Sequence, residues 1–176
     1  MQVILIRHTS VDVPRGTCYR QSDVDVAITF PEEAASTKAA LKEFLPIDIA
    51  FTSPLKRATM LADYCGFYSA IRDDRLKEMS MGRWEMQRYD EIDDPQLEKW
   101  YANYMHEPTT GGESFDDLYR RVAEFLNELK TKNYRRVAIF AHAGVLVAAG
   151  IYANLFAPDN AFTHQVPYGG LQVIEI

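Results

Sequence analysis

Val3-Ile4-Leu5-Ile6-Arg7-His8, close to the start of the chain, is the stretch that does most to decide the fold. Its four branched apolar residues are typical of a strand whose sheet is covered on both faces. The apolar run stops at Arg7-His8, so the strand would carry two polar side chains to one edge of the sheet. A second run, Val137 to Ala141, ends in the same way at His142. In open α/β sheets ligands bind beyond such carboxyl ends, so we expect these strand ends to converge on one crevice.

Helical patterns alternate with the strand patterns along the chain. Apolar spacing predicts further strands at 47–52 and 171–176, and helices at 31–44, 53–65, 93–105, 114–132 and 143–154. Ser53 and Pro54 are predicted as the N-cap and first residue of the second helix, and Gly66 as its end. Ser114 is predicted to cap the fourth helix. This alternation predicts an α/β fold, a three-layer α/β/α sandwich with a mostly parallel central sheet.

Composition limits the classes of protein to consider. The 176 residues are 47% hydrophobic and 25% charged, and no linker-like or charge-rich stretch divides them, so we predict one domain over residues 1–176. The net charge of −6 argues against nucleic acid as a partner. Cys18 and Cys65 lack the spacing of a zinc or redox pair, and no apolar run suits a signal peptide or membrane span. We expect a cytoplasmic protein without a membrane partner.

The polar residues at the predicted strand ends suggest phosphate chemistry. Arg57 falls in the first turn of its helix, where a cation opposes the helix dipole unless an anion lies between them. Arg7 and Arg57 could clamp a phosphoryl group, with backbone N–H groups after His142 as further donors. Neighbouring guanidinium charge would keep His8 neutral and nucleophilic. Glu78 is the best-placed acid to protonate a leaving alkoxide. No metal or other cofactor is needed.

Five short motifs follow one another along nearly the whole chain: Arg7-His8, Ser53-Pro54-Leu55-Lys56-Arg57-Ala58, Glu78 followed by Gly82-Arg83-Trp84-Glu85, Gly111-Gly112-Glu113-Ser114, and His142-Ala143-Gly144-Val145. Their order and spacing resemble the histidine phosphatase, or phosphoglycerate mutase-like, superfamily. The resemblance implies metal-independent hydrolysis of a small-molecule phosphate monoester through a phosphohistidine on His8. It implies phosphate binding by Arg7, Arg57 and His142, and acid–base catalysis by Glu78.

A finer resemblance concerns the residues after the first strand. Arg7-His8-Thr9, Val13-Pro14 and the run Cys18-Tyr19-Arg20-Gln21-Ser22-Asp23-Val24 look most like the α-ribazole phosphatase branch of cobalamin biosynthesis. α-Ribazole 5′-phosphate is therefore the expected substrate. Contacts to it are predicted for five residues: Thr9, Tyr19, Gln21, Glu113 and Ala143. Arg20 and Met86 depart from the family pattern and place two bulky side chains near the expected entrance.

Several alternatives remain at this stage. Glu85 competes with Glu78 for the acid role, and Glu113 also fits the start of a helix. Trp100, Tyr101 and Tyr104 have helical spacing that suits either core packing or a substrate lid.

The alternative functions are a broad-specificity phosphatase, a phosphoglycerate mutase-type phosphotransferase and a non-catalytic module that binds a phospho-ligand. A metal hydrolase is a further alternative, although no residues have the spacing of a metalloprotease or two-metal site. The sequence is also compatible with a homodimer.

Overall fold

A computed structural model describes all of residues 1–176. The strands are β1 (Gln2–Arg7), β2 (Ile49–Thr52), β3 (Ile71–Arg72), β4 (Arg136–Ala141) and β5 (Leu171–Glu175). The α-helices are α1 (Phe30–Leu41), α2 (Lys56–Cys65), α3 (Gln96–Asn103), α4 (Phe115–Lys130) and α5 (Ala143–Tyr152). Short 3₁₀ helices cover Lys42–Phe44, Asp74–Leu76, Gly82–Trp84, Tyr89–Glu91 and Pro158–His164.

The five strands form one sheet in the order β3-β2-β4-β1-β5. β1 pairs in parallel with β4, β4 with β2 and β2 with β3, whereas β5 runs antiparallel to β1 at the edge. The prediction of a mostly parallel sheet is therefore confirmed. In the β1–β4 ladder Arg7 lies opposite Ala141, so the residues that follow the two strands are neighbours.

Successive residues of the central strands point to opposite sides of the sheet, and both sides are buried. Val3 and Leu5 belong to a cluster with apolar residues of α4 and α5. Ile4 and Ile6 belong to a second cluster with residues of α1 and α2. Helices thus cover both faces, as the unbroken apolar run predicts. The three-layer α/β/α sandwich is confirmed.

The start of α2 differs from the prediction. Ser53 is not its N-cap and Pro54 is not its first residue, because Leu55 is still extended and the helix begins at Lys56. The Lys56 backbone N–H donates to Asp23 Oδ1 at 2.7 Å, so an acceptor from a distant loop takes the place of a local cap. The predicted end is confirmed, since Gly66 adopts a left-handed conformation with φ 97°.

The remaining elements differ from prediction mainly in their lengths. α3 is shorter at both ends than residues 93–105, and α1 changes to a 3₁₀ turn at Lys42. Ser114 caps α4 as predicted and forms a reciprocal capping box with Asp117. The two-residue strand β3 is not predicted. None of the helices has the length and apolar character needed to cross a membrane.

Candidate active site

A cavity of about 290 Å³ opens where β1 and β4 end. Its wall combines arginines, aromatic residues and one carboxylate from loops and helix starts: Arg7, His8, Thr17, Tyr19, Arg20, Arg57, Glu78, Tyr89, Ala143, Gly144, Phe162, Gln165 and Tyr168. His142 lies beside it, fully buried, with its ring centroid 5.1 Å from that of His8. The residues that the motifs predicted to converge are therefore neighbours in the fold.

His8 is held in an orientation that suits a nucleophile. Its Nδ1 lies 2.7 Å from the Thr9 carbonyl oxygen, which can only accept, so Nδ1 carries the proton. In the neutral ring the lone pair is then on Nε2. The His8 backbone N–H donates to the Ala141 carbonyl at 3.0 Å, which extends the β1–β4 ladder to the nucleophile itself.

Both histidines are neutral in this environment. Burial, followed by the positive charge of Arg57, lowers the pKa of His8 from 6.5 to about 3. Burial and Arg57 also lower the pKa of His142 well below 6.5. The sequence prediction attributes a neutral His8 to the arginines, but loss of hydration on burial is the larger cause.

Backbone carbonyls and aromatic rings fix the two arginines at this cavity. Arg7 Nη1 donates to the Val166 carbonyl at 2.7 Å, and its guanidinium lies 4.1 Å from the centre of the Tyr168 ring. Arg57 donates through Nη1 to the Ser22 carbonyl at 2.8 Å and through Nη2 to the Arg20 carbonyl. These contacts hold two positive charges in place before an anion binds, which lowers the cost of organising an anion site.

Buried polar atoms without a hydrogen-bond partner collect around this cavity. Four of the five in the protein are Arg7 Nε, Arg57 Nε, His142 Nδ1 and Thr9 Oγ1. Such atoms are rare in folded proteins because each loses hydration without compensation. Their concentration here, with two guanidinium groups, is the pattern expected of a phosphate-binding site.

Glu78 also lines the cavity and is only 4% exposed. Its Oε2 accepts from the Gly144 backbone N–H at 3.1 Å, in the first turn of α5, and Oε1 accepts from the Met79 N–H at 2.9 Å. Arg20 Nη1 lies 3.8 Å from Oε2. A Cβ at Gly144 would lie 2.3 Å from Glu78 Oε1, so only glycine permits this close approach.

Comparison with protein families matches residues 3–176 to the histidine phosphatase superfamily, branch 1. The chain belongs to this superfamily. Among curated proteins, the adenosylcobalamin/alpha-ribazole phosphatase of Escherichia coli is 31% identical over 191 residues, covering 100% of this chain and 90% of the relative. Phosphoserine phosphatase 1 of Hydrogenobacter thermophilus is 26% identical over 171 residues, covering 90% of this chain and 78% of the relative.

The solved structures agree with this assignment at the level of the fold. The alpha-ribazole phosphatase from Shigella flexneri superimposes with a TM-score of 0.90 at 23% identity, covering 100% of this chain and 91% of that one. The family match and its phosphatase relatives show that the chain is a phosphoric monoester hydrolase. The phosphoglycerate mutase-like fold is confirmed.

Of the predicted substrate-binding residues of this histidine phosphatase, only Tyr19 and Ala143 line the cavity. Thr9 follows His8 in the chain and is fully buried. Gln21 uses its side-chain amide to donate to the Glu78 carbonyl at 2.8 Å, and Glu113 binds protein groups instead. These three residues do not line the cavity, and their contacts with a substrate stay predictions.

Arg121 of α4 contacts the segment that carries Glu78, and the sequence gives no sign of this. Its guanidinium donates to both carboxylate oxygens of Glu113, at 2.8 and 3.0 Å, and to the carbonyls of Arg75, Lys77 and Glu78. Glu113 also accepts from the Ser80 N–H at 2.7 Å. The Arg121–Glu113 pair therefore fixes the segment that carries Glu78.

Glu85 and Met86 do not line the cavity. Glu85 accepts from the backbone of Gln21, Ser22 and Met81, which leaves Glu78 as the carboxylate that lines it. Met86, expected near the entrance, is 53% exposed and has a φ of 64°. Arg20, by contrast, lies at the cavity as expected.

Some residues that line the cavity belong to none of the motifs in the sequence. Tyr168, which packs on Arg7, is the clearest example and sits just before the glycine turn that precedes β5. No group of three or more His, Cys, Asp or Glu side chains is placed to hold a metal ion.

Proposed function

We propose that this protein is a metal-independent phosphomonoesterase that works through a phosphohistidine on His8, with α-ribazole 5′-phosphate as its substrate. The proposed catalytic mechanism rests on one observation. A neutral His8 with the lone pair on Nε2 lies among two fixed arginines, and Glu78 lines the same cavity. This combination provides a nucleophile, charge stabilisation for the phosphoryl group and an acid.

In the first step His8 Nε2 attacks phosphorus, the N–P bond forms and the P–O ester bond breaks. Glu78 gives its proton to the departing oxygen, which leaves as an alcohol. Arg7 and Arg57 stabilise the charge on the non-bridging phosphoryl oxygens. His142 is proposed to donate a hydrogen bond to one of these oxygens through Nδ1. The carbonyl of Thr9 keeps Nδ1 protonated and stabilises the charge that develops on the imidazole ring.

In the second step a water molecule attacks the phosphorus of the phosphohistidine. The N–P bond breaks, its electron pair returns to Nε2, and the Glu78 carboxylate accepts a proton from the water. Inorganic phosphate leaves, and both residues return to their starting states. Glu78 thus acts first as acid and then as base.

The choice of substrate is supported by the 31% identical adenosylcobalamin/alpha-ribazole phosphatase of E. coli. The sequence run from Cys18 to Val24 resembles the same branch, and Tyr19 of that run lines the cavity. The phosphoserine phosphatase relative makes phosphoserine the specific competitor. We propose that the activity belongs to cobalamin biosynthesis.

Phosphate release from α-ribazole 5′-phosphate, phosphoserine, 3-phosphoglycerate and an aryl phosphate tests the proposal. We expect at least a tenfold higher kcat/KM for the ribazole ester, unchanged activity in a chelator, and an acid-labile phosphoryl label on the wild-type protein but not on His8→Ala. His106→Gln, which alters an exposed histidine, is the matched control.

Each alternative gives a different result in this assay. Comparable slow rates for all esters would indicate a broad-specificity phosphatase. Transfer of the label to an added phosphoglycerate would indicate a mutase, and binding without release would indicate a non-catalytic module. Loss of activity in the chelator, restored by a divalent ion, would contradict the metal-independent mechanism.

A further inference from the structure

Ser53 has no part in the proposed mechanism and does not cap α2 as predicted, yet it is fully buried. It directly follows β2, and His142 directly follows β4, the strand that pairs with β2. The Ser53 backbone N–H donates to the Phe140 carbonyl at 2.8 Å, which extends the β2–β4 ladder by one residue. The main chain therefore places the two residues side by side, with Ser53 Oγ 2.8 Å from His142 Nε2.

The Ser53 hydroxyl group makes two hydrogen-bond contacts. Its oxygen accepts from the Leu55 backbone N–H at 3.3 Å, a group that can only donate. The hydroxyl proton is then available for the second contact, with His142 Nε2. Because burial and the charge of Arg57 keep His142 neutral, one of its two ring nitrogens has no proton and can accept this hydrogen bond.

The two neutral forms of His142 differ in how many buried polar groups they leave unpaired. If Nδ1 carries the proton, Nε2 accepts from Ser53 Oγ and only the Nδ1–H lacks a partner. If Nε2 carries the proton, it donates to Ser53 Oγ, and both the hydroxyl proton and the Nδ1 lone pair lack a partner. Each unpaired buried group lowers stability, so the form with the proton on Nδ1 is favoured.

We propose that Ser53 is a positioning residue that fixes the tautomer of His142 with the proton on Nδ1. In a neutral imidazole, the hydrogen bond made by one nitrogen decides which nitrogen carries the proton. His8 has the same tautomer with the opposite result, because the Thr9 carbonyl engages its Nδ1 proton and leaves a lone pair on Nε2. Ser53 instead engages Nε2 of His142 and leaves an N–H donor. The use of this donor on a phosphoryl oxygen rests on the proposed function.

The tautomer can be measured directly from long-range ¹H–¹⁵N correlation spectra of protein labelled at its four histidines. Protonated and unprotonated nitrogens of a neutral imidazole have well-separated ¹⁵N shifts, and the signals that disappear in His142→Gln identify this residue. In phosphate-free buffer at neutral pH we expect the wild-type proton on Nδ1. In Ser53→Ala both tautomers should be populated, because Nε2 has lost its donor.

Two further variants separate this role from a general effect on packing. Ser53→Thr keeps the hydroxyl group and should keep the proton on Nδ1. Thr52→Val is the matched control, since Thr52 is also buried but its hydroxyl group donates to the Ser53 carbonyl at 2.9 Å and not to His142. The tautomer in Thr52→Val should be that of the wild-type protein.

Titration calorimetry with inorganic phosphate measures the consequence for the anion site. We expect Ser53→Ala to bind phosphate about 10- to 100-fold more weakly than the wild-type protein, the effect of losing one hydrogen bond to a charged group. Thr52→Val should bind phosphate as the wild-type protein does. Neither measurement depends on turnover of an ester.

The outcomes separate this proposal from the proposed function. A wild-type His142 with its proton on Nε2, or an unchanged tautomer in Ser53→Ala, would overturn the role of Ser53. A changed tautomer with unchanged phosphate affinity would support that role and overturn the contact between His142 and phosphate. Changes in both, in a protein that hydrolyses no ester, would support the role of Ser53 and overturn the phosphatase mechanism.

Discussion

Replacing His8 by Gln should weaken the dependence of stability on pH, because the folded protein keeps this imidazole neutral. The pKa of His8 is about 3 in the folded protein and 6.5 in the unfolded chain. Between these values the unfolded chain binds more protons, so stability is full above pH 6.5 and falls as the pH drops toward 3. Integration from pH 7 to pH 5 gives a loss of about 2 kcal/mol from His8 alone.

The measurement is the free energy of unfolding from urea titrations at pH 7 and pH 5, followed by tryptophan fluorescence. The buffer must contain no phosphate, because an anion bound between the arginines would stabilise the imidazolium. We expect the wild-type protein to lose about 2 kcal/mol more than His8→Gln between the two pH values. His142 adds a loss in the same direction to both proteins.

Thr9→Val is the matched control for this prediction. Thr9 is buried next to His8 and does not titrate, so its replacement can change stability but should keep the wild-type difference between the two pH values. Equal pH dependence of the wild-type protein and His8→Gln would show that His8 is not held neutral. The argument for a ready nucleophile would then be refuted.

Three further predictions concern the acid and its supports. Glu78→Gln should lower kcat for alkyl phosphates by about 10²- to 10⁴-fold, and much less for an aryl phosphate whose leaving group hardly needs a proton; equal losses would remove Glu78 from the acid role. Gly144→Ala should lower kcat at least about tenfold with little change in fold by circular dichroism, because the added Cβ displaces the Glu78 carboxylate. Arg121→Gln should lower the free energy of unfolding by about 2–4 kcal/mol, since it leaves Glu113 without its cationic partner. The adjacent exposed Arg120→Gln should cost no more than about 1 kcal/mol in the same urea titration.

The layered fold could be predicted because the central strands are apolar on both faces. Neither face of these strands is polar, as the runs Val3 to Ile6 and Val137 to Ala141 show. Such strands require helices on both sides of the sheet. Parallel pairing then puts the carboxyl ends of both strands on one edge. The position of the candidate site followed from that constraint together with the identity of His8 and His142.

Features that depend on distant residues could not be predicted. The start of α2 is fixed by Asp23, which precedes Lys56 by 33 residues and gives no local sign of capping it. Arg121 lies among charged residues of α4, where an arginine usually faces water. Its contacts with Glu113 and three carbonyls exist only once α4 packs beside the Glu78 segment.

The predicted role of Glu113 illustrates the same limit. Its motif could be recognised, but the direction of its side chain depends on Arg121 and on the Ser80 N–H. The spacing of Trp100, Tyr101 and Tyr104 likewise favours core packing and leaves a lid as the alternative. The structure places Trp100 and Tyr104 on a cavity wall beside Glu78.

The β1–β4 ladder, which continues to the His8 N–H, has a consequence for how such enzymes diversify. The spacing of the two histidines is set by main-chain hydrogen bonds, and these survive almost any change of side chain elsewhere. Loops and the aromatic helix α3 can therefore mutate, lengthen or be exchanged while the reactive pair stays in register. For protein engineers, α3 and its neighbouring loops are the region to randomise when a new leaving group is wanted, with the strand ends kept constant.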